Sequence, residues 1–196
     1  MRIRIRRADV VFREFFTIEK VRLSWQQFDG SMSGDHTRYV IRRGDSVGIL
    51  CVCRDRPGDT GGRVVLVKQF RCPAARGRHD GYLWEIPAGM VEDGEAPERT
   101  ARRELEEETG LAAERLTYLT SFFLSPGAMD EKMHLFRAEV TAPATFVRVG
   151  GNPAESENLL VRRFRMQNLL RMIREGVIAD SKTITAVLLH HSLYAT

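Results

Sequence analysis

The chain has 196 residues, 43% of them apolar and 29% charged. That is enough for one globular domain with a full core and no need of disulfide staples. Its net charge of +4 is too mild to argue by itself for a nucleic-acid partner and equally suits a small anionic substrate such as a phosphate ester. The odd set Cys51, Cys53 and Cys72 forms neither C-x-x-C nor a zinc spacing, so core thiols in a reducing cytoplasm are expected. The longest clean apolar run, Val47 to Cys53, is far too short for a membrane span. The first residues, "MRIRIRR", lack the apolar stretch of a signal peptide.

In chain order, "MRIRIRR" alternates with period two and predicts a strand with one wet face. "FTIEKVRLSWQQFDG" runs to an Asp-Gly turn, with "TRYVIRRG" as the return strand, which predicts a hairpin. "DSVGILCVCRD" and "RVVLVKQFR" read as buried strands on either side of the loop "RPGDTGG". "YLWEIPAG" is a further strand, stopped by Pro87 and Gly89. From Pro97 to Thr109 the pattern is helical, with Pro97 and Glu98 suited to the first turn and Gly110 to the C-cap. "LTYLTSFFL" and "KMHLFRAEV" are strands flanking "SPGAMDE", and "RMQNLLRMIREG" and "TITAVLLHHSLY" are two more helices. Strands and helices without regular β-α-β alternation indicate an α+β fold.

The chemistry is concentrated in Gly89 to Leu111, "GMVEDGEAPERTARRELEEETGL". On a helix Glu104, Glu107 and Glu108 stand at i, i+3 and i+4 and share one face, where like charges cost stability unless a cation lies among them. Arg99 and Arg103 relieve part of this from neighbouring faces. A hard divalent ion does so more fully, since Mg²⁺ takes oxygen ligands and joins carboxylates to substrate phosphates. An acidic run alone is usually a solvated face. Here the spacing runs Gly89, five residues, Glu95, seven residues, Arg103-Glu104-Leu105, one residue, Glu107-Glu108, one residue, Gly110-Leu111.

This stretch resembles the Nudix box, G-x5-E-x7-R-E-U-x-E-E-x-G-U with U apolar, at every constrained position. The resemblance implies a Nudix fold, a mixed sheet sandwiched between helices. With it come an N-terminal hairpin extension over residues 1–44, serving dimerisation, and a hydrolase domain over 45–196. It implies hydrolysis of a nucleoside diphosphate linked to another group, with two or three Mg²⁺ ions (or Mn²⁺). Glu104 and Glu108 would be the main ligands, assisted by Glu107 and the carbonyl of Ala88. Glu95 would pair with Arg103 to hold loop and helix together, and Gly89 and Gly110 would permit tight turns.

Three further stretches resemble the ADP-ribose and GDP-mannose pyrophosphatase group: "SFFLSPGAMDE", "FDGSMS" with "RYVIRRG" and "VLVKQFR", and "GGNPAESENLLVRRF". That likeness places the general base at Glu157 with Glu155 beside it, and Glu131 in the Pro126 loop competes for the role. Ala154 and Asn158 depart from the acids that loop often carries. Arg38, Arg71, Glu85, Gly89, Met90 and Pro126 would contact substrate. Phe15 or Phe16 would pack in the core or stack on a base across a homodimer with exchanged N-terminal strands. His190 and His191 receive no role. The implied reaction is cleavage of ADP-ribose to AMP and ribose 5-phosphate. GDP-mannose or another nucleotide sugar is the alternative, and a non-catalytic Nudix-like sensor the alternative of another class. No nucleic-acid or membrane partner is expected.

Overall fold

Ser46–Arg54 (β4) carries apolar side chains at both parities, so it must be covered on both faces. In the computed structural model, which describes residues 1–54, 62–77, 80–142, 146–150 and 158–194, it lies inside an eight-stranded mixed sheet. The strand order is β10-β11-β5-β4-β9-β8, where β5 is Arg63–Phe70, β8 Arg115–Phe123, β9 Lys132–Thr141, β10 Arg148–Gly150 and β11 Leu159–Arg165. Tyr82–Glu85 (β6) pairs with β5, and Ala88–Met90 (β7) with β4. Strand β4 is parallel to β9 and antiparallel to β5 and β7.

Alternation along β4 sends its side chains to two cores. Val47, Ile49, Cys51 and Cys53 meet Ala101 and Leu105 of α1 (Pro97–Thr109) on one face. Leu50 and Val52 meet Leu169 of α2 (Met166–Arg174) and Ala186 and Val187 of α3 (Ser181–Tyr194) on the other. The sheet is thus sandwiched between helices, as the fold expectation required. Burial of each such side chain contributes roughly 1.5–3 kcal/mol. Cys51 and Cys53 are core thiols, and burial pushes the Cys51 thiol well above its ordinary range. Cys72 corrects the sequence expectation. It opens the 3-10 turn Cys72–Ala74, where Pro73 ends strand pairing, and it is exposed.

The residues form two compact units. One is Ser46–Phe122 with Met133–Thr196, which holds both cores. The other is Met1–Asp45 with Phe123–Lys132. In the latter, β1 (Ile3–Arg13), β2 (Thr17–Trp25) and β3 (His36–Arg42) form an antiparallel meander. The expected Asp-Gly turn closes β2 to β3. Gly30 has φ +86°, Gln27 N–H donates to Ser31 O at 2.8 Å, and Asp29 Oδ1 accepts from Ser31 N–H. The Pro126 loop is stitched to β3 by Ile41 N–H to Ala128 O at 2.8 Å and Asp130 N–H to Ile41 O at 3.2 Å. Among the described residues no helix is long and apolar enough to cross a membrane.

Candidate active site

Helix α1 builds the site. It starts at Pro97, whose missing N–H costs nothing there. It ends at Gly110, φ +71°, whose N–H returns to Glu106 O at 2.7 Å. Leu105, fully buried against the sheet, fixes the rotation of the helix. That rotation separates the acids. Glu108 is only 4% exposed and the Glu104 side chain 15%, while the Glu107 side chain is 52% exposed and faces outward.

Strand β7 supplies the floor. A Cβ at Gly89 would lie 2.0 Å from both Cδ and Oε1 of Glu104. The Glu104 carboxylate therefore rests directly on the Gly89 backbone, next to Ala88. The glycine of the box is explained by this close approach, not by a left-handed turn, which corrects one sequence expectation. Gly110 does carry the left-handed conformation expected of it.

Arg103 pairs with Glu95 at 3.3 Å, as the resemblance implied, and Thr100 Oγ1 donates to Glu95 Oε2 at 2.8 Å. These bonds to Thr100 and then Arg103 hold the Glu95 carboxyl below its usual range. Arg103 also reaches further than the sequence indicated, with Nη1 2.9 Å from Glu104 Oε1 and 3.0 Å from Glu107 Oε2. Partial burial opposes its charge, but the bonds to Glu95 and Glu107 and the field of Glu104 raise its pKa. Glu95, Arg103 and Glu107, with Glu92, Arg99 and Glu106, line an open groove of about 620 Å³ along the outer face of α1.

The donor chemistry fits a hard divalent ion. Glu104, Glu107, Glu108 and the Ala88 carbonyl offer oxygen only, and the Glu104 carboxylate sits in a cradle that any side chain at position 89 would fill. Among the described residues no three acidic, His or Cys side chains converge closely enough to enclose an ion, and Arg103 bridges Glu104 to Glu107. Arg103 takes one oxygen of each carboxylate, Glu104 Oε1 and Glu107 Oε2.

Behind this lies a second charged group. Arg71 donates Nε to Glu85 Oε1 at 3.0 Å and Nη2 to Oε2 at 2.8 Å, a bidentate pair. Lys182 Nζ donates to the same Glu85 Oε2 at 2.6 Å and to Asp180 Oδ1 at 2.9 Å. Burial opposes the charge of Glu85, yet the bond from Arg71 and the charge of Lys182 win, so its pKa falls below the ordinary value. Arg71 is held strongly cationic by Glu85, despite its own burial, with Glu108 and Asp180 adding to the field. The sequence pointed to Arg71 and Glu85 as separate substrate contacts. It missed that they are partners, and it missed Lys182 altogether. The one available signal was Asp180 three residues before Thr183, a helix N-cap spacing that orients the start of α3.

The remaining candidates lie elsewhere. Met90, in β7, is half-buried opposite Ser46. Arg38, Pro126 and Glu131 belong to the N-terminal unit. There Arg38 lies 5.5 Å over the Trp25 ring and donates Nη1 to Thr37 O. Glu131 is buried with Arg43 Nε 3.7 Å away, so as a base it would first have to give up that partner. Phe15, 85% exposed, is covered on one face by the Arg43 guanidinium at 4.8 Å, whereas Phe16 is partly buried. Glu155 and Glu157 lie outside the described residues. Their segment is bounded by β10 and β11, which pair Gly150 with Leu159.

Comparison with known proteins agrees with this geometry. The NUDIX domain family matches residues 42–185. The chain is 37% identical over 150 residues to an ADP-ribose pyrophosphatase of Bacillus subtilis, covering 76% of this chain and 74% of that one. It is 32% identical over 183 residues to a GDP-mannose pyrophosphatase of Cronobacter sakazakii, covering 93% and 90%. A solved structure described as an ADP compounds hydrolase superposes with TM-score 0.73 at 20% identity, over 100% of this chain and 95% of that one, and shows the shared fold. The box helix, its glycine floor and these matches together place the chain in the NUDIX family, as a Nudix hydrolase.

Proposed function

We propose that the protein hydrolyses the diphosphate bond of ADP-ribose, releasing AMP and ribose 5-phosphate, with Mg²⁺ as cofactor and Mn²⁺ as a substitute. The observation that carries the reading is the Glu104 carboxylate seated on Gly89, one helical turn from the buried Glu108. The site stands in a chain whose relative from Bacillus subtilis is named for ADP-ribose cleavage.

Glu104 and Glu108, with the Ala88 carbonyl, would hold the metal, and Glu107 would join from the open side. When bound, the metal supplies charge to offset the diphosphate and lowers the pKa of an attacking water. Glu95 keeps Arg103 as a strut between the box loop and α1. Arg71 offers Nη1 to the diphosphate, since Glu85 engages only its Nε and Nη2. A glutamate between β10 and β11 takes the proton from the water. Glu157, with Glu155 beside it, is preferred over Glu131, which has Arg43 as its partner. Gly89, Met90 and Pro126 would contact the substrate, and Arg38 would hold phosphate or the terminal ribose.

The protein acts as a homodimer, in the cytoplasm, on a small nucleotide sugar, without nucleic acid or membrane. Support for the dimer comes from β1, where Ile3, Ile5, Val10, Val11 and Phe12 are all exposed, an apolar load that one chain rarely leaves open. GDP-mannose is the second reading, favoured by the relative from Cronobacter sakazakii at 32% identity.

Product analysis of ADP-ribose and GDP-mannose in parallel, each with Mg²⁺ and with chelator, tests the choice. Metal-dependent AMP from ADP-ribose supports the first reading. GMP from GDP-mannose alone replaces it with the second and moves the search for specificity to β2, β3 and the Pro126 loop.

A further inference from the structure

We infer that Lys182, at the start of α3, is a positioning residue for the reaction: through Glu85 it fixes the orientation of Arg71 and leaves part of the Arg71 charge unneutralised. This rests on the proposed role of Arg71 as a diphosphate ligand.

Glu85 is 2% exposed, and a carboxylate so deeply buried needs compensation. It accepts three hydrogen bonds from two cations, two from Arg71 and one from Lys182. Lys182 is itself oriented by Asp180 Oδ1, and the other oxygen of Asp180 accepts from Thr183 N–H at 2.9 Å and Thr183 Oγ1 at 2.6 Å. Thr183 Oγ1 in turn accepts from Ile86 N–H at 2.8 Å, two residues before Ala88. The first turn of α3 thus grips the segment Glu85–Ile86 at both a side chain and a backbone amide.

The charges explain why a second cation is needed. With Arg71 alone, the full carboxylate charge would draw on one guanidinium, and the pair would close on itself. Lys182 carries part of that charge, so Arg71 keeps field to spare. Arg71 binds Glu85 through Nε and Nη2, which leaves Nη1 for an anion. Both partners of Lys182 are thereby used: Asp180 orients it and Glu85 transmits its effect.

A double-mutant cycle in the full-length protein tests this, with Lys182→Met, Arg71→Ala and the pair, read by KM and kcat for ADP-ribose with Mg²⁺. Lys182→Met is expected to raise KM at least ~10-fold with kcat within about 3-fold, and to add less than about 2-fold once Arg71 is alanine. Lys182→Arg, which keeps the charge, is expected to restore most of the loss, and it carries the test should Lys182→Met fail to fold. In ¹⁵N NMR the Arg71 Nε–H, protected by Glu85, is expected to exchange more slowly in Lys182→Met, as the pair closes on itself. An unchanged KM in folded Lys182→Met, an equal rise in the Arg71→Ala background, or Lys182→Arg as damaged as Lys182→Met would each overturn the inference. Should the unmodified protein leave ADP-ribose intact, the substrate reading fails. The NMR comparison then decides the Lys182–Glu85–Arg71 coupling alone: unchanged or faster exchange sinks it and slower exchange sustains it.

Discussion

Strands β1 and β4 use the same backbone and opposite surroundings. In β4 every residue from Ser46 to Cys53 is buried, because α1 covers one face of its sheet and α2 and α3 the other. In β1 nearly every residue is exposed, apolar ones included, with Ile3 standing opposite Trp25 and Ile5 opposite Leu23 in the ladder to β2. Charge divides along the same line. The first 45 residues contain ten basic and six acidic side chains, which leaves twenty of each for the remainder of a chain with 30 and 26. The whole surplus of +4 therefore belongs to the N-terminal segment. A strand covered on both faces builds a core and holds a site. A basic, apolar, uncovered strand is what the proposed dimer would cover.

The largest expected effect lies in the unit that holds the cores. Glu108→Gln removes a charge but keeps the shape, and turnover should fall by roughly 10²–10³-fold or more with the melting temperature little changed. Steady-state kinetics beside calorimetry would show it, and unchanged turnover would remove Glu108 from the metal site. Next comes the N-terminal unit. Deleting residues 1–13 strips β1 and should convert dimer to monomer in sedimentation, with KM for ADP-ribose rising on the order of 10-fold. A dimer that survives the deletion would assign the interface elsewhere.

Smaller effects sharpen the contrast. Burial, then Arg137 and His191, hold the His190 imidazole neutral, with a pKa lowered from 6.5 to about 4. The unfolded chain takes up this proton as pH falls below 6.5, and the folded chain does so only near 4. The contribution is therefore complete above 6.5 and is lost as pH falls from there toward 4, by on the order of 1–2 kcal/mol after solvent screening. Chemical denaturation across this range should show the slope, and His190→Gln should flatten it. The smallest effect is expected in the Pro126 loop. Asp130 accepts from Arg43 N–H at 2.9 Å and from Arg42 Nη1 at 3.1 Å, near solvent. Asp130→Asn should cost about 0.5–1 kcal/mol in urea titration, and a loss several times larger would mean that the loop anchors more than its own unit.

What was legible in the sequence was local or periodic. Helix α1 was bounded correctly at Pro97 and Thr109 because its start and stop depend on Pro97 and Gly110 themselves. The buried sheet was readable from the apolar run of β4. Contacts between distant positions were not. Glu85 and Lys182 are 97 residues apart, and nothing in either neighbourhood announces the other. Arg103 was placed on Glu95 by the resemblance to the Nudix box, but its bonds to Glu104 and Glu107 depend on a rotamer that the resemblance leaves open. The docking of the Pro126 loop on β3 uses backbone groups, which every residue carries, so no side chain marks it.

The most direct test of the central claim is AMP release from ADP-ribose by the unmodified protein and by Glu104→Gln, each with Mg²⁺ and with excess chelator. The account expects rapid release only from the unmodified protein with Mg²⁺, and near-background release in the other three mixtures. Release that persists in chelator, or that Glu104→Gln leaves untouched, would contradict a catalytic metal held by the carboxylates of α1.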